Sequence, residues 1–492
     1  MNAAGSLRRR GRFEQFPDLT ENPRFWALLT ARFAIGLYLV ELLANLLRPH
    51  FTAGEPAVTV LARPVAGSAA ITRLYSTPTL TFWALIVGIV GSGLLQVVAA
   101  RAAPTGRRAR TVFQATLLLL LVPFALIPLG FLGALPLAAL ACGASTAFAL
   151  WVVHQAQPFQ RLPLAVLAAG FGWGALIAWG FARACTNLLL GTLQGYLRHG
   201  GSAEWSEALN AELRVAVVHV TLIAIAAEAA GVLLLLQLLR RQVVDVVTGM
   251  ALGAAIGIGY NFTESVVFIG LFGKLGFFSG ATGGFEFWIR QCVTLFGGHC
   301  AFGATIGAGF GIAVQRADRR QLVIGAGLLP AAGSALANEF GGAWISSQVG
   351  VRGGVLDTLI VSPGILLLVQ APALVLGGLL LRSGLRQRAI TGRLALLAEV
   401  DSGRGAITAI ELPVLADPAL RLGSLVMAWR RCGPGTARAL ARRQRAQLDL
   451  AAWRRQRDLQ PETMTERGDE LRARVLSVPD CRRVVGPNAV SK

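Results

Sequence analysis

Charge is scarce in this chain. Asp, Glu, Lys and Arg together make up 15% of 492 residues and hydrophobic residues 54%, against roughly 25% charged in an ordinary soluble domain. The mean hydropathy is +0.58. These values exclude a soluble enzyme and indicate a polytopic membrane protein. Lysine is nearly absent: only Lys274 and Lys492 occur, so Arg carries almost all of the formal net charge of +20. The arginines cluster between hydrophobic runs and in the C-terminal tail, and no basic motif interleaved with aromatics appears, which argues against nucleic acid as a partner. The six cysteines, Cys142, Cys185, Cys292, Cys300, Cys432 and Cys481, form no CxxC pair. Neither a disulfide framework nor a zinc finger is therefore indicated. The N-terminal MNAAGSLRRRGRF is basic, but no apolar run follows at once, so it does not read as a cleavable signal peptide. The Ala-, Arg- and Gly-rich, Lys-poor usage resembles that of a GC-rich bacterial genome.

What is present is a series of hydrophobic runs. Ten are long enough, at about 20 residues, for a hydrocarbon core of about 30 Å: residues 25–47, 80–100, 112–130, 132–154, 162–183, 213–239, 246–272, 289–314, 321–345 and 355–381. The expected fold is all-α, a polytopic transmembrane helix bundle with a cytoplasmic helical tail. Arg clusters before the first run and after the second, sixth, eighth and tenth all fall on one side, which the positive-inside rule assigns to the cytoplasm. The chain is thus expected in the plasma membrane with both termini cytoplasmic. Residues 1–24 form a cytoplasmic N-terminal segment, 25–183 the first five spans, 184–212 an extracytoplasmic loop with an interfacial helix near Trp205, 213–345 a core, 346–381 the last loop and span, and 382–492 a basic tail. The loop 273–288 is also assigned to the outside. Within the tail, 434–458 has a basic amphipathic pattern, which predicts a helical hairpin lying on anionic lipid. Most of the 57 glycines lie within the runs, where small residues let helices approach closely.

Against that background a few polar residues are costly. Glu228, Glu264 and His299 lie inside three successive runs, where a charged group costs roughly 2.5–3.5 kcal/mol on insertion scales. At 1.5 Å per residue, His299 lies about 15 Å, Glu264 about 12 Å and Glu228 about 22 Å from the outer surface. Tyr260 and Asn261 share a helix face with Glu264, as Cys292 does with His299. Gly253, Gly257 and Gly259 form a small-residue stripe leading to that face. His219 lies nearer the outer surface, where it could line a pore or merely sit at the interface. A carboxylate in a low-dielectric pocket can serve as general base near neutral pH, and an imidazole can act as acid, hold water or ligate a metal. The same pair suits a proton relay.

GAAIGIGYNFTES (253–265) and RQCVTLFGGHCAFGATIGAGFG (290–311) resemble two motifs of the PrsW-type intramembrane proteases, relatives of the CAAX-protease and bacteriocin-processing membrane enzymes. Glu264 falls at the family's second-motif Glu, Arg290 at its Arg and His299 at the His of HxxxT. AAGSALANEF (331–340) is similar to the last motif, with Ser334 for its His and Asn338 kept. The family's paired Glu is reduced to Glu228 beside Ala227 or Ala229, its Lys falls on Gly231 or Val232, and Ser265 and Gly303 replace the Asn and Thr. The resemblance implies catalytic Glu228, Glu264 and His299, with Glu228 as base, and Arg290, Asn261 and Asn338 as supporting groups. It leaves open a divalent metal such as zinc on Glu228, Glu264 and His299, with Cys292 as a further donor, and implies a single-span membrane protein as substrate. A catalytically inactive pseudoprotease or scaffold, and a proton-coupled transporter, are the alternatives.

Overall fold

The computed structural model describes residues 23–47, 77–101, 106–157, 159, 161–186, 206–240, 242–272, 283–315, 320–349, 354–457 and 465–477. The described residues are almost entirely helical and contain no strand. Among the described residues, seven helices are long and apolar enough to cross a membrane, or eight if a bent pair counts as one span, against the ten expected over the whole chain; Gln321–Leu336 is a shorter apolar helix. The expected interfacial helix near Trp205 and the side chain of His219 lie outside the described residues.

The bent pair, Arg108–Leu119 and Val122–Ala134, turns by 46°. Pro123 has no N–H to donate to Leu119, so the ladder opens there. The Tyr38 hydroxyl lies 2.7 Å from the carbonyl oxygens of both Leu119 and Leu120 and supplies the missing donor. The run then continues to Ala134, and the turn falls at Leu135, just before Pro136. The boundary expected at Gly130 is therefore displaced: a proline at the first position of a helix marks its start better than a glycine within an apolar run.

The middle of the bundle is built on Val246–Phe272 and Gly298–Gln315, packed antiparallel with backbones in contact. A Cβ on Gly253 would strike the Gly303 carbonyl, one on Gly307 the Gly249 carbonyl, and one on Gly257 the His299 carbonyl. The contacts recur every four residues along each helix, the spacing that keeps one stripe facing the partner. Asp245 closes the inner end. Its carboxylate accepts from the Thr248 N–H at 2.9 Å while its own N–H donates to the Thr248 hydroxyl at 3.0 Å, a reciprocal N-terminal cap. Its carbonyl oxygen abuts Gly311. On the other side Leu164–Thr186 runs parallel to Val246–Phe272, with the Thr263 hydroxyl donating to the Ala175 carbonyl at 2.8 Å.

Three elements begin earlier or run longer than the sequence suggests. The helix expected from 213 begins at Ser206. The segment expected as a loop to residue 288 is helical from Gly283, passing through a π-helical turn at Trp288–Val293. The last membrane helix continues as Ser362–Asp401, well past the expected end at 381. Its extension carries the tail, which has its own core of Ala395, Leu396, Ile407, Leu415, Leu450, Trp453 and Val475 with Phe159. Buried Glu399 binds Arg454 at 2.6 Å and Arg472 at 2.7 Å within it. The hairpin expected at 434–458 is one limb of Pro418–Arg457; Ala446, Leu450 and Trp453 of its apolar stripe are buried in this core, and Leu440 is buried as well.

Candidate active site

Glu228, Glu264 and His299 come together. His299 lies between the two carboxylates, with Nδ1 2.9 Å from Glu228 Oε2 and Nε2 2.9 Å from Glu264 Oε2. The same Glu264 oxygen accepts from Arg290 Nη1 at 2.6 Å, and Arg290 Nε donates to Glu286 Oε2 at 2.7 Å. Five ionisable side chains from three segments thus form one continuous chain, Glu228–His299–Glu264–Arg290–Glu286. The Tyr260 ring lies against the His299 imidazole, centroids 4.4 Å apart, and the Arg290 guanidinium sits 4.2 Å above the Phe268 ring, one turn beyond Glu264.

Local sequence explains the placement. The helix that enters at Gly283 breaks at 294–297, and Gly298 adopts φ 42, a left-handed value that glycine tolerates. His299 therefore lies in the first turn of Gly298–Gln315, and Gly257 admits its backbone. The π turn at 288–293 shifts Arg290 relative to a regular helix; such turns are frequent at functional sites. On the Glu228 side, the Trp173 indole N–H donates to the Gly231 carbonyl at 2.9 Å, and Ala178 packs where a Cβ at Gly231 would sit.

Exposure differs sharply along the chain. The Glu228 side chain is 4% exposed, against 25% for His299, 21% for Glu264 and 24% for Arg290. The site is closed behind Glu228 and open toward Glu264 and Arg290. Either an imidazolium donates to both carboxylates, or a neutral imidazole donates to one and accepts from the protonated other. In both cases the ring and the two carboxyl groups share protons across two hydrogen bonds.

The supporting residues sit farther out. Asn261 Nδ2 donates to the Arg290 carbonyl at 3.4 Å. Asn338 Oδ1 accepts from Gln370 Nε2 at 2.8 Å, and Gln370 lies where a Cβ at Gly297 would go, so Asn338 reaches the His299 turn only through Gln370. Cys292 is exposed. Three participants were not expected: Glu286, Gln370 and Arg183. Glu286 stands four residues before Arg290, a pairing that helical periodicity signals once the segment is taken as helix. Gln370 lies in the last span, with no local pattern to mark it. Arg183, near the end of Leu164–Thr186, interacts electrostatically with Glu264 and Tyr260, and its buried Nε has no hydrogen-bond partner. A buried guanidinium N–H without an acceptor is costly. An arginine near the end of an apolar run reads most simply as an interfacial anchor, so the sequence hid it.

Two carboxylates and an imidazole are the right donor types for zinc. Their arrangement does not suit it. The carboxylates approach different nitrogens of one ring, and those nitrogens point in divergent directions, so all three donors cannot meet on one ion. Among the described residues no group of three or more His, Cys, Asp and Glu side chains is placed to hold a metal. As arranged, the three side chains do not form a common ligand set, and the arrangement is one that supports proton transfer.

Residues 162–368, which contain every group just described except Gln370, match the family described as PrsW family intramembrane metalloprotease. No curated protein and no solved structure matches the chain. Residues 162–368 are thus similar to the PrsW family of intramembrane proteases, in a chain whose described helices include several long and apolar enough to cross a membrane.

Proposed function

We propose that the protein hydrolyses peptide bonds of single-span membrane proteins near the extracytoplasmic side of the plasma membrane, by proton transfer through His299. The carrying observation is that one imidazole bridges Glu228 and Glu264. Glu228, nearly inaccessible, acts through the histidine rather than on water directly, which revises the base role expected for it. Its carboxylate holds Nδ1 and stabilises the ring when charged, the logic of a carboxylate–histidine pair. Nε2, on the open side, takes a proton from water as the hydroxide adds to the scissile carbonyl carbon. It returns that proton to the amide nitrogen as the C–N bond breaks. Arg290, with Arg183 nearby, supplies positive charge where the oxyanion develops, and Glu264 keeps Arg290 in place. For this cycle Nε2 must release Glu264 Oε2, which Arg290 retains. The arginine clusters that fall on one side of the apolar runs support cytoplasmic termini, and the basic tail supports contact with anionic lipid.

The test is cleavage of a panel of single-span proteins by the protein reconstituted in vesicles. Wild-type cleavage that is lost in Glu228→Gln and His299→Ala supports the proposal; wild-type rates in both variants reject it. Two observations favour the second reading, a pseudoprotease that binds membrane helices without cutting them. His299 already commits both nitrogens to carboxylates, and alanines flank Glu228 where the family has a second Glu. Substrates that co-purify intact would decide for that reading.

A further inference from the structure

Pro418–Arg457 is two limbs joined at Gly433, which has φ 83 and precedes Pro434. The second limb is buried in the tail core, but the first is turned inside out. Ser424 and Ala428 face the domain, where Gln444 Nε2 donates to the Ser424 hydroxyl at 2.9 Å. The opposite face presents Leu422, Val426 and Trp429, at 63%, 39% and 58% exposure. Their i, i+4, i+7 spacing is the one an amphipathic helix normally turns toward a core. Ala419, Leu422, Gly423, Val426, Met427 and Arg430 line a shallow open groove of about 370 Å³ there. A contiguous exposed apolar face of this kind marks a contact surface.

Place and charge identify the occupant. The Arg421 guanidinium lies 5.5 Å from the Phe159 ring, and the same ring packs on Gly392. Phe159 belongs to the short connection between the membrane-type helices Pro136–Gln155 and Leu164–Thr186, so it stands at the level of the bilayer surface, and the Arg421 end of the limb with it. Arg430 and Arg431 are exposed at its far end, and no Asp or Glu occurs between 418 and 432. An apolar face bearing Trp and flanked by arginines is the composition of a helix lying in an anionic interface.

We propose that residues 418–432 dock on the anionic surface of the bilayer that holds the protein, with Leu422, Val426 and Trp429 among the acyl chains and Arg430 and Arg431 on lipid phosphates. This moves the tail's lipid contact from the 434–457 limb, which is buried, to the limb before it. It does not depend on the protease reading.

The test uses the full-length protein with the exposed Cys292 and Cys432 replaced by Ser and an environment-sensitive fluorophore on Val426→Cys. It is reconstituted in phosphatidylcholine vesicles with and without phosphatidylglycerol, and quenching by lipids carrying acyl-chain nitroxides is read. Quenching that rises with phosphatidylglycerol, and a docking equilibrium weakened roughly tenfold or more by Arg430→Glu with Arg431→Glu, is the expected result. Unchanged thermal melting of that variant shows that the fold survives, and Trp429→Ala, which leaves the charges in place, should weaken docking as well. A label that stays in water in both lipids overturns the proposal. So does a label shielded from water without nitroxide quenching: energy transfer between labels that grows with protein density would then assign the face to a second copy, and its absence to another protein segment.

Discussion

Arg388 and Asp245, 143 positions apart, form a two-pronged buried ion pair, Nε to Oδ2 at 2.7 Å and Nη2 to Oδ1 at 2.6 Å. Asp245 caps the helix that carries Glu264, and Arg388 lies on the extension that carries the tail. Arg388→Ala leaves the carboxylate buried without its strongest partner, and removing one member of such a pair costs roughly 3–5 kcal/mol. The expected outcome is a lower melting temperature and faster proteolysis after residue 382. A variant that melts like the wild type would show that the pair carries little.

Glu228→Gln should cut the cleavage rate by roughly 10²–10⁴, because the amide cannot take up the charge that forms on His299. His299→Ala should match it, and the double variant should be no worse than either, as expected for groups acting as a unit. Rate constants for all three in vesicles check this; additive losses would separate the two residues.

Arg183 predicts a different signature. If its unpartnered N–H meets the developing oxyanion, Arg183→Ala should lower kcat by roughly 10²–10³ with little change in KM, and Arg183→Lys should restore part of it. An unaltered kcat would make the residue a bilayer anchor only.

The glycine contacts predict position-specific intolerance. Gly253→Val or Gly303→Val forces side-chain atoms into a facing carbonyl and should destabilise the protein by at least about 1–3 kcal/mol, the usual cost of overpacking. Gly333→Ala, where a Cβ meets nothing within 4 Å, should be silent. Thermal melting of the purified variants separates the two classes.

Much of the site was legible because polar residues in apolar runs have few explanations. Glu228, Glu264 and His299 stood out on cost alone, and counting rise per residue placed Glu264 and His299 at similar depth. Arg290 followed from the motif around it. What could not be read depended on contacts between distant segments or on breaks in helical phase. The wide turn at 288–293 changes where Arg290 points without any mark in composition. Gln370 and Arg183 enter from helices whose local sequence is ordinary. The tail differs in detail for a related reason: an amphipathic stripe reports that one face is buried, not against what. Leu440, Ala446 and Leu450 bury theirs against protein, whereas the preceding limb leaves Leu422, Val426 and Trp429 uncovered.

The four-residue pitch of the glycine contacts makes the core pair of helices a notched rail. Gly249, Gly253 and Gly257 meet the opposite backbone at intervals of about 6 Å, and any intermediate position sets a side chain against a carbonyl. Sliding by a whole notch would carry His299 out of reach of Glu264. The proton chain is therefore either seated or fully undone, and a signal that acts by axial motion of these helices would switch it in steps rather than tune it by degrees.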